Sequence, residues 1–438
     1  MTVPLFDTLG PAIGAEFARR RDDLPRALHV GADAASCLAE TLRDEFGTRS
    51  AAVLFDARTR EAAGDAVLAA LRDAGIRAHP TLVPDADGHA PVCDNATKTR
   101  LQAVLPVADV TLAVGSGVLA DLGKWIAFER AQPAAVFATA ASMNGYAAAN
   151  VAPAIDGVKT LVSARAHRVI ATDPAVLARA PHVLTSAGLG DVLARSVSGA
   201  DWRMNALLFD EPYSAALASV LDPIEPRYLD APERLAAGDE AAVAALFEGL
   251  VVSGCAMTLH GSSLPASGGE HLISHALDMR ARAEGGTHDL HGRQVGVATI
   301  FAAALYERVL ALDAPRFGAD PLPFDAAGWG AIAPSVGTHH TAQSRRLAEA
   351  CARLSDGDTW PRLRATLLPM LPGPARVKDT LARAGAAHRV QDLGCTRERF
   401  LWAALNAAQM RERFTALDLA WVAGVLPDAA DDIVTAWL

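Results

Sequence analysis

Short apolar runs alternate with longer amphipathic stretches through roughly the first 173 residues, and then the alternation stops. A-L-H-V (27–30), A-A-V-L-F (51–55), I-R-A-H-P (76–80), V-T-L-A-V (110–114) and A-A-V-F-A (134–138) read as strands. The segments between them, such as T-R-E-A-A-G-D-A-V-L-A-A-L-R-D-A-G, read as helices. Strands alternating with helices predict βαβ units and a mostly parallel sheet. V-K-T-L-V-S-A and H-R-V-I-A-T-D, within 158–173, read as a hairpin closing this half. Beyond Pro174 the chain is Ala- and Leu-rich and helical, broken by Gly/Pro loops near 222–226, 313–325 and 371–376. The expected organisation is an α/β nucleotide-binding domain over 1–173 and an all-α domain over 174–438. One stretch, A-A-V-A-A-L-F-E-G-L-V-V-S-G-C-A-M, is apolar enough to suggest a membrane span. It carries Glu248 and two glycines, so a buried core helix is the better reading.

Composition narrows the partners. At roughly 100–200 residues per domain, 438 residues hold two or three domains. Fifty acidic residues against 40 basic ones give a net charge of −10, and no basic stripe appears. Nucleic acid and anionic membranes are therefore unlikely partners on charge grounds. Five scattered cysteines without a C-x-x-C pattern indicate neither a disulfide framework nor a zinc ribbon. The start, M-T-V-P-L-F-D-T-L-G, lacks the basic and apolar regions of a signal peptide. A cytoplasmic protein without membrane insertion is expected. The high apolar content points to self-association, as a homodimer.

Three segments carry candidate metal chemistry: A-G-L-G-D191, E-H271-L-I-S-H275 and H-D-L-H291-G. One carboxylate and two imidazoles hold a divalent metal and leave a coordination position open, as a catalytic site requires. Asp191, His271 and His291 are the expected ligands. His271 opens an apolar stretch after small residues and Pro265, so it belongs in the first turn of a helix. His275 lies one turn further on the same face. His291 precedes a run apolar enough to be a buried helix.

A nucleotide site is suggested by V-T-L-A-V-G115-S116-G117-V-L-A-D121-L-G-K124. Glycines let backbone N–H groups approach a pyrophosphate, and a helix N-terminus adds a favourable dipole. Alone, G-S-G is equally a tight turn. Asp121 and Lys124 are either a surface ion pair or groups pointing into a cleft. Asp56 ends the strand at 51–55, where it can accept both hydrogen bonds of an adenosine ribose or simply cap a helix. Arg58 nearby keeps NADP open beside NAD. Thr139 and Ser142, in T-A-A-S-M-N144-G-Y, are cofactor contacts or turn chemistry.

Taken together, these segments resemble the sn-glycerol-1-phosphate dehydrogenase family, metal-dependent polyol dehydrogenases with a dehydroquinate-synthase-like fold. The likeness covers nearly the whole chain. It is densest at the motifs above and at D-G-V-K-T, S-S-L-P-A-S-G-G, H-G-R-Q-V-G-V and M-R-E-R-F-T-A-L-D-L-A. It implies an active site between a nucleotide domain and a helical domain. It also implies zinc, nickel or iron on Asp191, His271 and His291, and cofactor contacts at Asp56, Gly115, Gly117, Asp121, Lys124, Thr139 and Ser142. Two positions depart from the family pattern. Asn144 stands where the family has Asp, and Leu264 stands where it has an arginine that holds the substrate's anionic group. Leucine cannot form the bidentate fork of an arginine. Recognition of phosphate is therefore expected to be weak unless another cation, such as Arg203, replaces it. The expected chemistry is hydride exchange between a small polyol or polyol phosphate and NAD or NADP, with His275 relaying the proton. A dehydroquinate-synthase-like lyase and a non-catalytic nucleotide-binding homologue are the competing readings.

Overall fold

On the central apolar runs residues of opposite parity face opposite ways, and both faces are covered, whereas the edge run Arg77–Leu82 is largely open. The computed structural model describes residues 2–3, 18–85, 90–156, 158–318 and 320–438. Most of the amino-terminal stretch read for a targeting signal, and Gly157 of D-G-V-K-T, lie outside them. The main sheet contains β1 (Thr2–Val3), β2 (Ala27–Val30), β3 (Ser50–Phe55), β4 (Arg77–Leu82), β5 (Val110–Gly115), β6 (Ala134–Ala138) and β7 (Val169–Thr172). Their order is β1-β2-β7-β6-β5-β3-β4. All pairings are parallel except β1 with β2.

Ala51, Val53 and Phe55 of β3 pack with Leu38, Leu42, Val67 and Leu71 from helices Ala34–Phe46 and Asp65–Asp73. Ala52 and Leu54 pack the other way, with Leu101, Leu119, Leu122 and Ile126 from helices Asn95–Val104 and Gly117–Glu129. The helix after β3 and the helix after β5 thus cover opposite faces. Between β3 and β5 the winding of the sheet reverses. Ligands of open parallel sheets bind at such a switch point, outside the carboxyl ends of the strands.

The expected hairpin over 158–173 is not formed. Val158–Lys159 pairs with Ala154–Ile155, and Val162–Ser163 pairs with Asn150–Val151. The V-I-A-T run instead becomes β7, buried between β2 and β6. All four of its residues are buried, as in a parallel strand covered on both faces.

By Cα packing the chain divides into two units, Met1–Gly188 with Ser219–Ser262, and Leu189–Ala218 with Ser263–Leu438. The change of secondary structure near 173 and this division do not coincide. Helix Glu240–His260 returns to the first unit, where Gly254 packs against the carbonyl of Asn144 and Thr258 Oγ1 donates to Ala147 O at 2.8 Å. It is the one described helix long and apolar enough to cross a bilayer, and 94% of its apolar window is buried. The second unit is helical, built around Gly269–Ala283 and His291–Leu310.

Candidate functional site

The carboxyl edge of the first unit's sheet holds the expected nucleotide residues. β5 ends at Gly115, and Ser116 is the N-cap of a 13-residue helix. The glycines are there for close packing. A Cβ on Gly115 would lie 2.4 Å from Leu119 Cδ1, and one on Gly117 would lie 3.2 Å from Met143 Sδ. The helix N-terminus is thereby held tight against the strand end, its leading N–H groups available to an anion. Thr139 follows β6 and donates its N–H to Gly115 O at 3.2 Å.

Asp56 is largely buried at the end of β3 and caps the next helix. Its Oδ1 accepts from Thr59 N–H at 2.8 Å, and its own N–H donates to Thr59 Oγ1 at 3.0 Å. Arg58 Nη2 donates to Asp56 Oδ2 at 2.9 Å and to Asp85 Oδ1 at 2.6 Å. Those hydrogen bonds, Asp85's first, hold the Arg58 guanidinium firmly charged.

Lys124 lies inside the first unit. Its side chain is fully buried, and Nζ donates to the carbonyls of Gly145, Ala148 (3.2 Å) and Asn150 (2.8 Å). Asp121 Oδ1 stands 3.3 Å away, and Asp121 Oδ2 accepts from Ala152 N–H. Burial pushes the ammonium down, with Asp121 opposing. Lys124 and Asp121 thus hold the 145–152 segment. That segment carries Asn144 and Ser142 just ahead of it. Tyr146 fixes its start by donating to Ala140 O at 2.7 Å.

The second unit brings Asp191, His271 and His291 together. One ligand atom from each lies within 4.8 Å of the others. His271 Nε2 is 3.3 Å from Asp191 Oδ1, and the His271 and His291 ring centres are 5.2 Å apart. The placement begins with glycine. Helix His182–Leu193 meets helix His291–Leu310 so closely that a Cβ on Gly190 would lie 2.0 Å from Gly292 O. That backbone contact sets Asp191 against His291.

Both imidazoles are oriented by neighbours that sequence reasoning missed. His271 Nδ1 donates to Glu270 Oε1 at 2.8 Å, and Glu270 also accepts from Gly268 N–H at 2.7 Å. Ser274 Oγ donates to Gln294 Oε1 at 2.7 Å, so its contact of 2.8 Å with His291 Nδ1 is one in which the imidazole donates. With each Nδ1 carrying a proton, each Nε2 keeps a lone pair. This is the arrangement in which histidines ligate metals. The only earlier signal was spacing: Glu270 adjoins His271, and Ser274 and Gln294 lie three positions beyond His271 and His291. Burial pushes the His271 imidazole down. Its hydrogen bonds to Asp191 and Glu270, with their charges, outweigh burial and hold it at about 9. Asp191 Oδ1 beside Nε2 favours a positive charge there, which a divalent cation can supply in place of a proton. The three donors fit such an ion.

Asp201 anchors the same helix start. It accepts from Tyr306 O–H, from Ala416 N–H at 2.8 Å and from Gly269 N–H at 2.8 Å. Burial and the Glu270 charge push it up to about 8. His275 is half-buried, and its ring stacks on His291 at 5.1 Å with 17° between planes. Arg203 lies over the Tyr213 ring at 4.7 Å.

Residues 29–181 match the family model described as iron-containing alcohol dehydrogenase. A glycerol-1-phosphate dehydrogenase [NAD(P)+] of Bacillus velezensis is 34% identical over 258 residues, covering 59% of this chain and 66% of the relative. One from Halalkalibacterium halodurans is 32% identical over 289 residues, covering 64% and 70%. The chain belongs to the glycerol-1-phosphate dehydrogenase family. Its fold matches a probable glycerol dehydrogenase from Sinorhizobium meliloti, with a TM-score of 0.59 at 18% identity over 93% of this chain and 97% of that one. The parallel-sheet unit and the helical unit are those of the iron-containing alcohol dehydrogenases. Family and triad together make the chain a redox enzyme.

Proposed function

We propose that the chain interconverts a small polyol, or its monophosphate, and the corresponding ketone, with NAD or NADP as hydride carrier and one divalent metal. The observation that carries this reading is the triad, Asp191 and His271 buried and His291 half-buried, in which both Nδ1 atoms are already committed as donors. Asp191, His271 and His291 would hold a divalent ion, which would supply Lewis acidity toward an alcohol or carbonyl oxygen, and a nicotinamide cofactor would supply the hydride chemistry.

The chain's own residues supply the rest. Asp191, His271 and His291 hold the ion and leave a position for substrate. Glu270 and Ser274 keep the two rings from turning. His275, stacked on His291, takes the alcohol proton toward solvent. Ser116, Gly117 and the helix N-terminus hold the pyrophosphate, and Thr139 and Ser142 line its approach. Asp56 accepts from the adenosine ribose, which favours NAD, and Arg58 beside it tolerates a 2′-phosphate. Asn144 offers both a donor and an acceptor to a substrate hydroxyl.

The test is a panel of polyols, polyol phosphates and their ketones with NAD(H) or NADP(H), followed at the reduced-nicotinamide absorbance. Chelated protein and protein reloaded with Zn, Ni or Fe are compared. Turnover should require metal and be lost in His271→Ala. Turnover that survives chelation undiminished would sink the reading.

A further inference from the structure

The carboxyl ends of β3 and β4 bring three charged groups together. β3 pairs with β5 from Ala51 and Val110 to Leu54 and Ala113, so two residues further on Asp56 stands level with Gly115. On its other side β3 pairs with β4 as far as Phe55 and Leu82, and Val83 N–H donates to Phe55 O at 2.8 Å. Neighbouring strands lie about 4.8 Å apart. A dinucleotide whose pyrophosphate sits at the Gly115–Gly117 turn therefore lays its adenosine ribose over Asp56, with the 2′ substituent toward β4.

Each carboxylate oxygen of Asp56 accepts one of these protein hydrogen bonds, from Thr59 N–H and from Arg58, and keeps a further lone pair for a ribose hydroxyl. Arg58 is the cation on the β4 side, and its fork is taken. Nη1 donates to Asp85 Oδ2 at 3.1 Å and Nη2 to Asp85 Oδ1 at 2.6 Å, while Nη2 also donates to Asp56 Oδ2 at 2.9 Å. Exposed ion pairs contribute little as a rule, and bidentate pairs within a network are the exception. The hydrogen bonds from Arg58 hold the Asp85 carboxyl below its usual range. Arg60, the next guanidinium, is paired with Asp65 at 3.1 Å and lies over the Phe55 ring. A 2′ group thus meets two carboxylates and one guanidinium already engaged by both. A hydroxyl is at home there. A phosphate dianion is repelled by the acids and finds no open fork to bind it. A tether for the loop after β4 does not account for Asp85, because Val83 already ties that loop to β3 through the backbone.

We propose that Asp85 sets the choice between NAD and NADP: by occupying the Arg58 fork it withholds from a 2′-phosphate the guanidinium that would otherwise bind it. This role rests on the ribose contact proposed above for Asp56 and states what limits the tolerance of Arg58 for a 2′-phosphate.

The test uses full-length, zinc-loaded protein and two probes, NADH and NADPH, whose dissociation constants are read from nicotinamide fluorescence. Asp85→Ala should tighten NADPH about ten-fold, the low end of what a charge-assisted hydrogen bond contributes. NADH binding should stay within twofold of native, which also reports that the variant is folded. Asp85→Glu, able to hold the same fork, should keep the native ratio. Adding Arg58→Leu to Asp85→Ala should abolish the gain. A ratio of the two constants within twofold of native in Asp85→Ala, with both cofactors bound, overturns the role of Asp85 and leaves the cofactor site standing. A gain that survives Arg58→Leu overturns it too, because Arg58 is then not the group released. Native protein that binds neither cofactor overturns the ribose contact and this role with it. An Arg58-dependent gain in NADPH affinity without redox turnover on any substrate supports the role of Asp85 and overturns the reaction instead.

Discussion

Replacing Gly190 by alanine should unseat the metal centre without touching any ligand. A Cβ at this position would lie 2.0 Å from Gly292 O and 3.1 Å from Gly296 Cα, all backbone atoms that cannot rotate away. Comfortable contact between carbon atoms is about 3.5–4.0 Å, so the two helices must part by about 1 Å or more. Overpacking of this kind costs about 1–3 kcal/mol. Metal ligands tolerate only about ±0.2 Å, and Asp191 and His291 lie on the helices that separate. Zinc affinity, read by competition with a chromophoric chelator, should fall at least about tenfold, or 1.4 kcal/mol. The control is Gly199→Ala in helix Arg195–Phe209, where an added Cβ meets nothing within 4 Å. That variant should keep native zinc affinity and gain about 0.4–1 kcal/mol of stability. Melting both proteins in excess chelator separates loss of fold from loss of metal. If Gly190→Ala binds zinc and melts like native, the close helix contact does not set the site.

Other outcomes follow from the same geometry. Glu270→Ala should lower zinc affinity about 10–100-fold, because it removes the Oε1 that accepts from both Gly268 and His271. Native affinity in that variant would refute the tautomer argument. Asp56→Ala should cost about 1 kcal/mol of unfolding free energy through the lost cap, whichever cofactor is used. It should separately shift the ratio of kcat/KM for NAD over NADP toward NADP, and an unchanged ratio leaves Asp56 as a cap alone. His288 is held above its usual range by its hydrogen bond to Asp278, against burial. Its folded value is raised, so its stabilisation is complete below about pH 6.5 and lost as pH rises through the raised value. Thermal melts across that window should slope downward, and Asp278→Asn should flatten the slope.

The strands were legible because parallel strands covered on both faces are continuous apolar runs. Ala27–Val30 and Ala134–Ala138 coincide with their predicted limits. Val169–Thr172 was misplaced because a local pattern does not show which strand a segment will join, and its partners lie far back in the chain. The return of Glu240–His260 to the first unit was hidden for the same reason, as its contacts with 144–147 span about a hundred residues. Asp191, His271 and His291 were found from residue type and helix position, and they do converge. Spacing left Lys124 and Asp121 as either a surface pair or groups pointing into a cleft, and it could not show the three carbonyls from 145–150 that enclose the ammonium. The groups that turn the two imidazoles, and the Asp85 carboxylate that holds Arg58, depend on side-chain directions that spacing does not report.

The central claim is metal-dependent hydride transfer, and a single turnover with deuterated cofactor tests it most directly. Zinc-loaded protein is mixed with NADH or NADPH carrying deuterium at the nicotinamide 4-position, and with dihydroxyacetone or its phosphate. The product is read by mass spectrometry. Deuterium should appear on the carbinol carbon of the product with native protein, and not with chelated protein or His291→Ala. Native protein that binds both zinc and the reduced nicotinamide, yet leaves the label on the cofactor with every ketone, would contradict the account.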